Sequence, residues 1–131
     1  MQTDQGFWYL ASPYSNYAGG REAAFKLAAV ESARLIRAGV PVFSPIAHSH
    51  PIAEHGGIDP LDHDVWLPLD TPMMDAARGL IVLTAEGWNK SRGVLYEINV
   101  FWHTRKPMRV MSPGELPSWI ALDVLVSSRA I

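Results

Sequence analysis

Glu97 is the sharpest candidate for chemistry in this sequence. It lies early in a predicted helix, beside the apolar stripe Val94, Leu95, Ile98, Phe101 and Trp102, so its carboxylate should tilt toward the edge of a sheet. Such a group can act as nucleophile or acid–base catalyst, or simply be a solvated side chain favoured by the helix dipole. Ser91-Arg-Gly93 opens the same helix. Free backbone amides at a helix start hold anions, and the Ser91 hydroxyl adds a donor; plain N-capping by Ser91 accounts for the same residues. Asp70 shares a helical face with Trp66, Met73 and Met74. A carboxylate among core positions is costly unless paired or protonated, which suits a general acid or a hydrogen-bonding group. The competing possibility is that the nearby prolines turn Asp70 to solvent.

Four histidines, His48, His50, His55 and His63, fall among Asp59, Asp62 and Asp64. His48-Ser-His50 would let a strand present two ligands on one face. No third ligand follows at a regular spacing, so neither a metal nor a cofactor is expected, and the histidines are taken as pocket-lining or surface groups. Gly19-Gly20-Arg21, ahead of a helix, is by default a flexible turn. The tyrosines near the first strand's end and Trp88 can stack on a flat ligand, or equally serve as core or rim.

The elements that must position these groups follow from hydrophobic patterning. Phe7 to Ala11 and Gly79 to Thr84 are short, continuously apolar runs, as expected of strands buried on both faces. Val40 to Phe43 and Lys106 to Met111 complete four strands. Between Arg21 and Ala38, apolar or small residues at 25, 28, 29, 32, 35 and 36 predict an amphipathic helix closed by Gly39. Ser44 to Asp64, with three prolines and two adjacent glycines, is expected to be irregular. Trp66 to Ala77 has helical spacing that Pro68 and Pro72 should break or kink, with Thr71 as a possible cap. A helix runs from about Ser91 to Thr104, and a last one from Pro117 to Ser128. Alternating strands and helices predict an α/β domain of three layers, Rossmann/flavodoxin-like, with a parallel sheet of four to five strands. Ligands of such sheets bind beyond the carboxyl ends of the strands, where Tyr9 to Tyr17, Ser44 to His50 and Thr84 to Glu97 should converge.

The 131 residues suit one domain spanning the chain. With 48% hydrophobic residues the composition is that of a globular protein. The absence of cysteine excludes disulfides, thiolate metal sites and cysteine nucleophiles. Net charge is −2 with scattered basic residues, which argues against nucleic acid as a partner and for a small molecule. The polar start Met1 to Gly6 does not resemble a signal peptide, and no apolar run has a membrane-spanning length, so neither a membrane partner nor an exported location is expected; a cytoplasmic one is the default.

Together these stretches resemble the nucleoside 2-deoxyribosyltransferase superfamily, which includes 2′-deoxynucleoside 5′-phosphate N-hydrolases. The likeness rests on Trp8-Tyr-Leu-Ala-Ser-Pro13, on Trp66-Leu-Pro-Leu-Asp70 ahead of an apolar strand, and on Ser91-Arg-Gly-Val-Leu-Tyr-Glu97-Ile followed by Lys106-Pro-Met. It spans roughly residues 8–111 in the family's order. The resemblance implies Glu97 as nucleophile, Asp70 as partner of the nucleobase and Tyr9 as a group orienting the glutamate. Ser91 matches the phosphate-binding serine of the nucleotide hydrolases, where the transferases carry an aspartate, and Gly19-Gly20-Arg21 is similar to their phosphate-side loop. Ser12, Tyr14, Gly20, Arg21, His48 and Gly93 join Ser91 as expected substrate-binding residues. The sequence departs from the family at Arg78, where an aspartate is usual, and in its histidine-rich segment. The implied reaction is hydrolysis of the N-glycosidic bond of a nucleoside 5′-monophosphate through a glycosyl-enzyme. Base exchange by a (deoxy)ribosyltransferase and nucleotide binding without turnover stay open. A homo-oligomer, dimer or larger, is expected on the same ground.

Overall fold

Strands and helices alternate along the chain as β1 (Trp8–Ala11), α1 (Arg21–Arg37), β2 (Val42–Phe43), α2 (Pro45–Gly56), α3 (His63–Ala76), β3 (Gly79–Leu83), α4 (Arg92–His103) and β4 (Met108–Met111). The computed structural model describes residues 6–120. The expected helix over 117–128 therefore falls largely outside the described residues. The four strands form one sheet in the order β2-β1-β3-β4, and every pairing is parallel. With helices on both faces this is a three-layer Rossmann/flavodoxin-like fold, as the patterning predicts. Among the described residues no helix is long and apolar enough to cross a membrane.

The central strand β1 shows why the apolar runs do not alternate. All four of its residues are buried. Trp8 and Leu10 pack with Leu35 of α1 and with Ile81 and Leu83 of β3. Tyr9 and Ala11 face the other way, against Met74 of α3 and Val94 and Phe101 of α4. Each side chain of a strand covered on both faces meets a core, so polar residues have no place in it. Gly79 at the head of β3 is fixed by this packing. A Cβ there would lie 2.5 Å from the Trp8 ring and 2.7 Å from the Pro107 carbonyl oxygen.

Three expectations are corrected. The Ser44–Asp64 stretch is not wholly irregular, since residues Pro45–Gly56 form α2. Pro45 sits at the first helical position, where its missing N–H costs nothing, and the Ser44 side chain accepts from Ala47 N. Gly57, at φ 72°, closes the helix in the left-handed conformation. Next, α3 runs unbroken through Pro68 and Pro72, capped by Asp62 rather than Thr71. The two prolines are four residues apart and exposed, so the carbonyls they leave unbonded lie on the watered side. Burial of Trp66 and Met74 on the opposite side holds the helix together. Finally, α1 buries Ala24, Ala28, Glu31 and Leu35, a face turned from the expected stripe, and leaves Ile36 exposed. Smallness, not apolarity, selects Ala24 and Ala28 for close approach to the sheet.

Candidate functional site

In the order β2-β1-β3-β4 the chain leaves β1 in one direction to reach β2 and lies on the other side of β1 for β3. The loops after β1 and β3 diverge at such a switch point and open a crevice. A cavity of about 470 Å³ occupies it, within the range of small-molecule sites, roughly 300–1,000 Å³. Its walls come from four stretches: the end of β1 with Tyr9, Ser12 and Tyr14; the first turns of α2; Trp66, Asp70 and Met74 of α3; and Ser91 to Gly93 with Glu97 of α4.

Glu97 stands on the inward stripe of α4, three residues after buried Val94 and four before buried Phe101. Apolar neighbours supply little solvation, and burial pushes its carboxyl from 4.5 up to about 8. The Tyr9 hydroxyl pulls this value down, and the negative charge of Asp70 adds to the rise. Asp70 is itself pushed up to about 6 by burial, with His48 opposing when charged. The Tyr9 hydroxyl is held strongly toward its protonated form by burial first and by the Glu97 and Asp70 carboxylates next. Tyr9 and Glu97 thus sense each other electrostatically, yet the hydroxyl has no partner in full hydrogen-bond geometry among the described residues. An Asp70 oxygen, Oδ1, is likewise buried and unbonded. Buried polar atoms without partners are rare in folded proteins. Here three groups that reach the cavity from β1, α3 and α4 share the condition or its electrostatic signature.

The start of α4, one turn before Glu97, is built to meet an anion. Ser91 does cap α4: its side chain accepts from Val94 N at 3.3 Å. The amides of Arg92 and Gly93, in the first helical turn, have no carbonyl within the helix to bond. Both residues line the cavity. A Cβ at position 93 would meet only Ser91 Oγ, at 3.9 Å, so this glycine keeps the wall low and does not relieve a clash. Ser12, which lines the same cavity, is 5% exposed and its hydroxyl oxygen is buried without a partner.

Of the residues nominated from sequence, Tyr9, Ser12, Tyr14, Asp70, Ser91, Gly93 and Glu97 come together in this cavity. Gly20, Arg21 and His48 do not line it. Gly20 is the exposed N-cap of α1, and φ 93° is the reason for a glycine there. Arg21 lines a smaller neighbouring pocket of about 220 Å³ with Tyr14, His50 and Glu54. His48 is exposed on α2, with its ring 5.7 Å from that of Phe43. Ser49, Arg92 and Tyr96, within the stretches expected to converge, also line the large cavity, as do His63 and Trp66, none of them singled out individually from sequence. The Ser44-Pro45 capping signal, taken as a helix start, would have brought Ser49 to it.

Two supports hold the walls in place. Lys106 Nζ donates to the carbonyl oxygens of Met74, Asp75 and Ala77 at 2.9, 2.6 and 2.7 Å. This ammonium closes the C-terminus of the helix that carries Asp70, where orphan carbonyls and the dipole both favour a cation. Across the crevice mouth, Asn16 Nδ2 donates to the Gly87 carbonyl at 3.0 Å and ties the loop after β1 to the loop after β3.

A family model described as a domain of unknown function, DUF1937, matches residues 6–113. The chain belongs to the DUF1937 family. No curated protein matches it. The DUF1937 match extends from before β1 to beyond β4, so all four cavity walls and the Lys106 support fall inside it.

Proposed function

We propose that this DUF1937 member hydrolyses the N-glycosidic bond of a nucleoside 5′-monophosphate, as a distant relative of the nucleoside 2-deoxyribosyltransferases. The observation that carries the proposal is the meeting of two desolvated carboxylates, Glu97 and Asp70, with the amide-bearing start of α4 in one cavity. A nucleotide lying along α4 would meet a nucleophile and, about one helical turn away, a phosphate seat.

In the proposed cycle ionised Glu97 attacks the anomeric carbon while positive charge develops there, and the bond to the base breaks. Asp70, protonated, gives its proton to the departing base. Water then attacks the anomeric carbon of the glycosyl-enzyme and gives its proton to the Asp70 carboxylate, restoring both groups and releasing the sugar phosphate. Tyr9 steadies the Glu97 anion. The phosphate rests on the Arg92 and Gly93 amides, with the Ser12 and Ser91 hydroxyls beside it.

The protonation states give this scheme a signature. The attacking form needs Glu97 without its proton and Asp70 with one, whereas Glu97 titrates near 8 and Asp70 near 6 in the empty cavity. About a tenth of each group is in the required state at pH 7. A bell-shaped dependence of kcat/KM on pH, centred between the two values, follows.

The test incubates the whole chain with a panel of nucleoside monophosphates and nucleosides and follows free base. Release from monophosphates, abolished in Glu97→Ala with the fold retained, is expected. Trapping a 2-fluoro sugar phosphate on Glu97, seen by mass spectrometry, identifies the nucleophile. Exchange onto an added free base would instead assign a transferase. Nucleotides that raise the melting temperature and yield no product over hours would leave a binding module.

A further inference from the structure

We propose that Glu22, His50 and Glu54 form a binding site for one divalent transition ion, zinc being the best match. The site lies where α1 and α2 meet and is independent of the chemistry assigned to the large cavity. One ligand atom from each residue falls within 4.8 Å of the other two. His50 Nε2 stands 3.0 Å from a Glu22 oxygen and 3.6 Å from a Glu54 oxygen. Bonds of about 2.0–2.2 Å at a tetrahedral angle put neighbouring donor atoms roughly 3.3 Å apart, between these two separations. One imidazole and two carboxylates make a set that zinc accepts, with water in the fourth position.

The imidazole is prepared for such a bond. His50 is 8% exposed, and its ring stacks on Phe25 with centroids 4.6 Å apart at 21°. Its Nδ1 lies 2.6 Å from the Tyr14 hydroxyl. A metal-bound histidine commonly donates its second ring N–H to an oxygen, which fixes the tautomer and aims the lone pair. When Nδ1–H donates to Tyr14, the Nε2 lone pair points at the two glutamates, an unfavourable contact that a cation resolves. The metal-free arrangement has Tyr14 donating to Nδ1 and a single Nε2–H facing two carboxylates. Arg21 lines the adjoining pocket, but among the described residues it makes no ion pair with either glutamate.

Sequence spacing conceals this set, because Glu22 comes from α1 and only His50 and Glu54 share an i, i+4 helical face. His48, once its apparent strand partner, lies in the same helix and is not among the ligands. Occupancy would clamp α1 to α2 and, through Nδ1–H, hold the Tyr14 hydroxyl at the wall between the two pockets.

The whole chain, stripped with chelator and titrated calorimetrically with zinc chloride, should take up one equivalent and melt at a higher temperature when loaded. Both glutamates are exposed, so Glu22→Gln with Glu54→Gln should keep the fold, verified by circular dichroism, and lose at least about 100-fold in zinc affinity. Tyr14→Phe, which removes only the outer hydrogen bond, should lose roughly 10-fold. Equal zinc affinity in the double variant and the parent, or no uptake by the parent at 100-micromolar concentrations (on the order of), would overturn the site and leave an ion pair between helices.

Discussion

Two glutamates are drawn into the protein on opposite faces of the sheet, and their surroundings differ in kind. Glu31 of α1 is 3% exposed, yet its carboxylate accepts from Gly114 N at 3.1 Å and lies 3.6 Å from Arg34 Nε. Arg34 in turn donates to the Gly114 carbonyl. The charge there is answered by Arg34 and one oxygen by a backbone amide, although Oε1 itself has no hydrogen bond among the described residues. Glu97 of α4 faces an unbonded tyrosine hydroxyl and a second carboxylate, and its proton is held to about 8. A carboxylate whose charge meets a guanidinium and a backbone amide ties a loop to a helix. One left short of partners, beside an open cavity, is available to something that enters. The difference separates a structural charge from a reactive one without reference to either residue's place in the sequence.

Substitution at the two positions should give opposite outcomes. Glu97→Gln is expected to lower base release by at least about 1,000-fold while the chain stays folded. Glu31→Ala is expected to leave turnover unchanged and to lose on the order of 1–3 kcal/mol of stability, because Gly114 N and Arg34 lose their partner. Parallel kinetic and denaturant-unfolding measurements check both; equal activity losses at 31 and 97 would erase the contrast.

The pH dependence of stability provides a second, smaller test. Between pH 4.5 and about 8 the folded chain keeps a proton on Glu97 that the unfolded chain has released. Folded protein therefore binds more protons in that window, and stability falls as pH rises through it, the loss being complete above about 8. Glu97→Gln removes the dependence. Its melting temperature should exceed the parent's by on the order of 5 °C at pH 9 and match it near pH 4. A parent and variant whose difference does not change with pH would show that the Glu97 carboxyl is not desolvated.

The smallest effect is expected from Tyr9→Phe. The hydroxyl favours the Glu97 anion, so its loss should lift the alkaline limb of the pH–rate profile by a fraction of a unit and slow turnover by about 3-fold at neutrality. Melting should change little, since the atom removed is buried and unbonded. A profile that does not move would assign Tyr9 a packing role alone.

The sheet was legible in the sequence because a parallel strand covered on both faces writes itself as an uninterrupted apolar run; Leu80 to Leu83 and Trp8 to Ala11 leave little choice. Glu97 was legible because it lies beside the stripe of Val94, Ile98 and Phe101, although Leu95 and Trp102, expected in the same stripe, are exposed. Prolines misled. Pro45 begins α2, Pro51 lies inside it, and Pro68 and Pro72 sit on the solvent side of α3, positions where tertiary packing outweighs a lost backbone bond. What sequence could not convey was company through space. Nothing local to Lys106 announces three carbonyls of α3, and nothing local to Glu22 announces His50. Ser12, named only for its place at a strand end, acquires its interest from the absence of a bonding partner, which no pattern records.

The switch in strand order has one more consequence. Tyr9 enters the crevice from the first strand, Asp70 from the third helix and Glu97 from the fourth, and each wall leans on β1 or β3 at the sheet's centre. No contiguous fragment of the polypeptide carries the three groups in register. The crevice exists only while the middle of the sheet is zipped, so whatever binds there would act as a gauge of global folding, and fraying at either outer strand would be felt last.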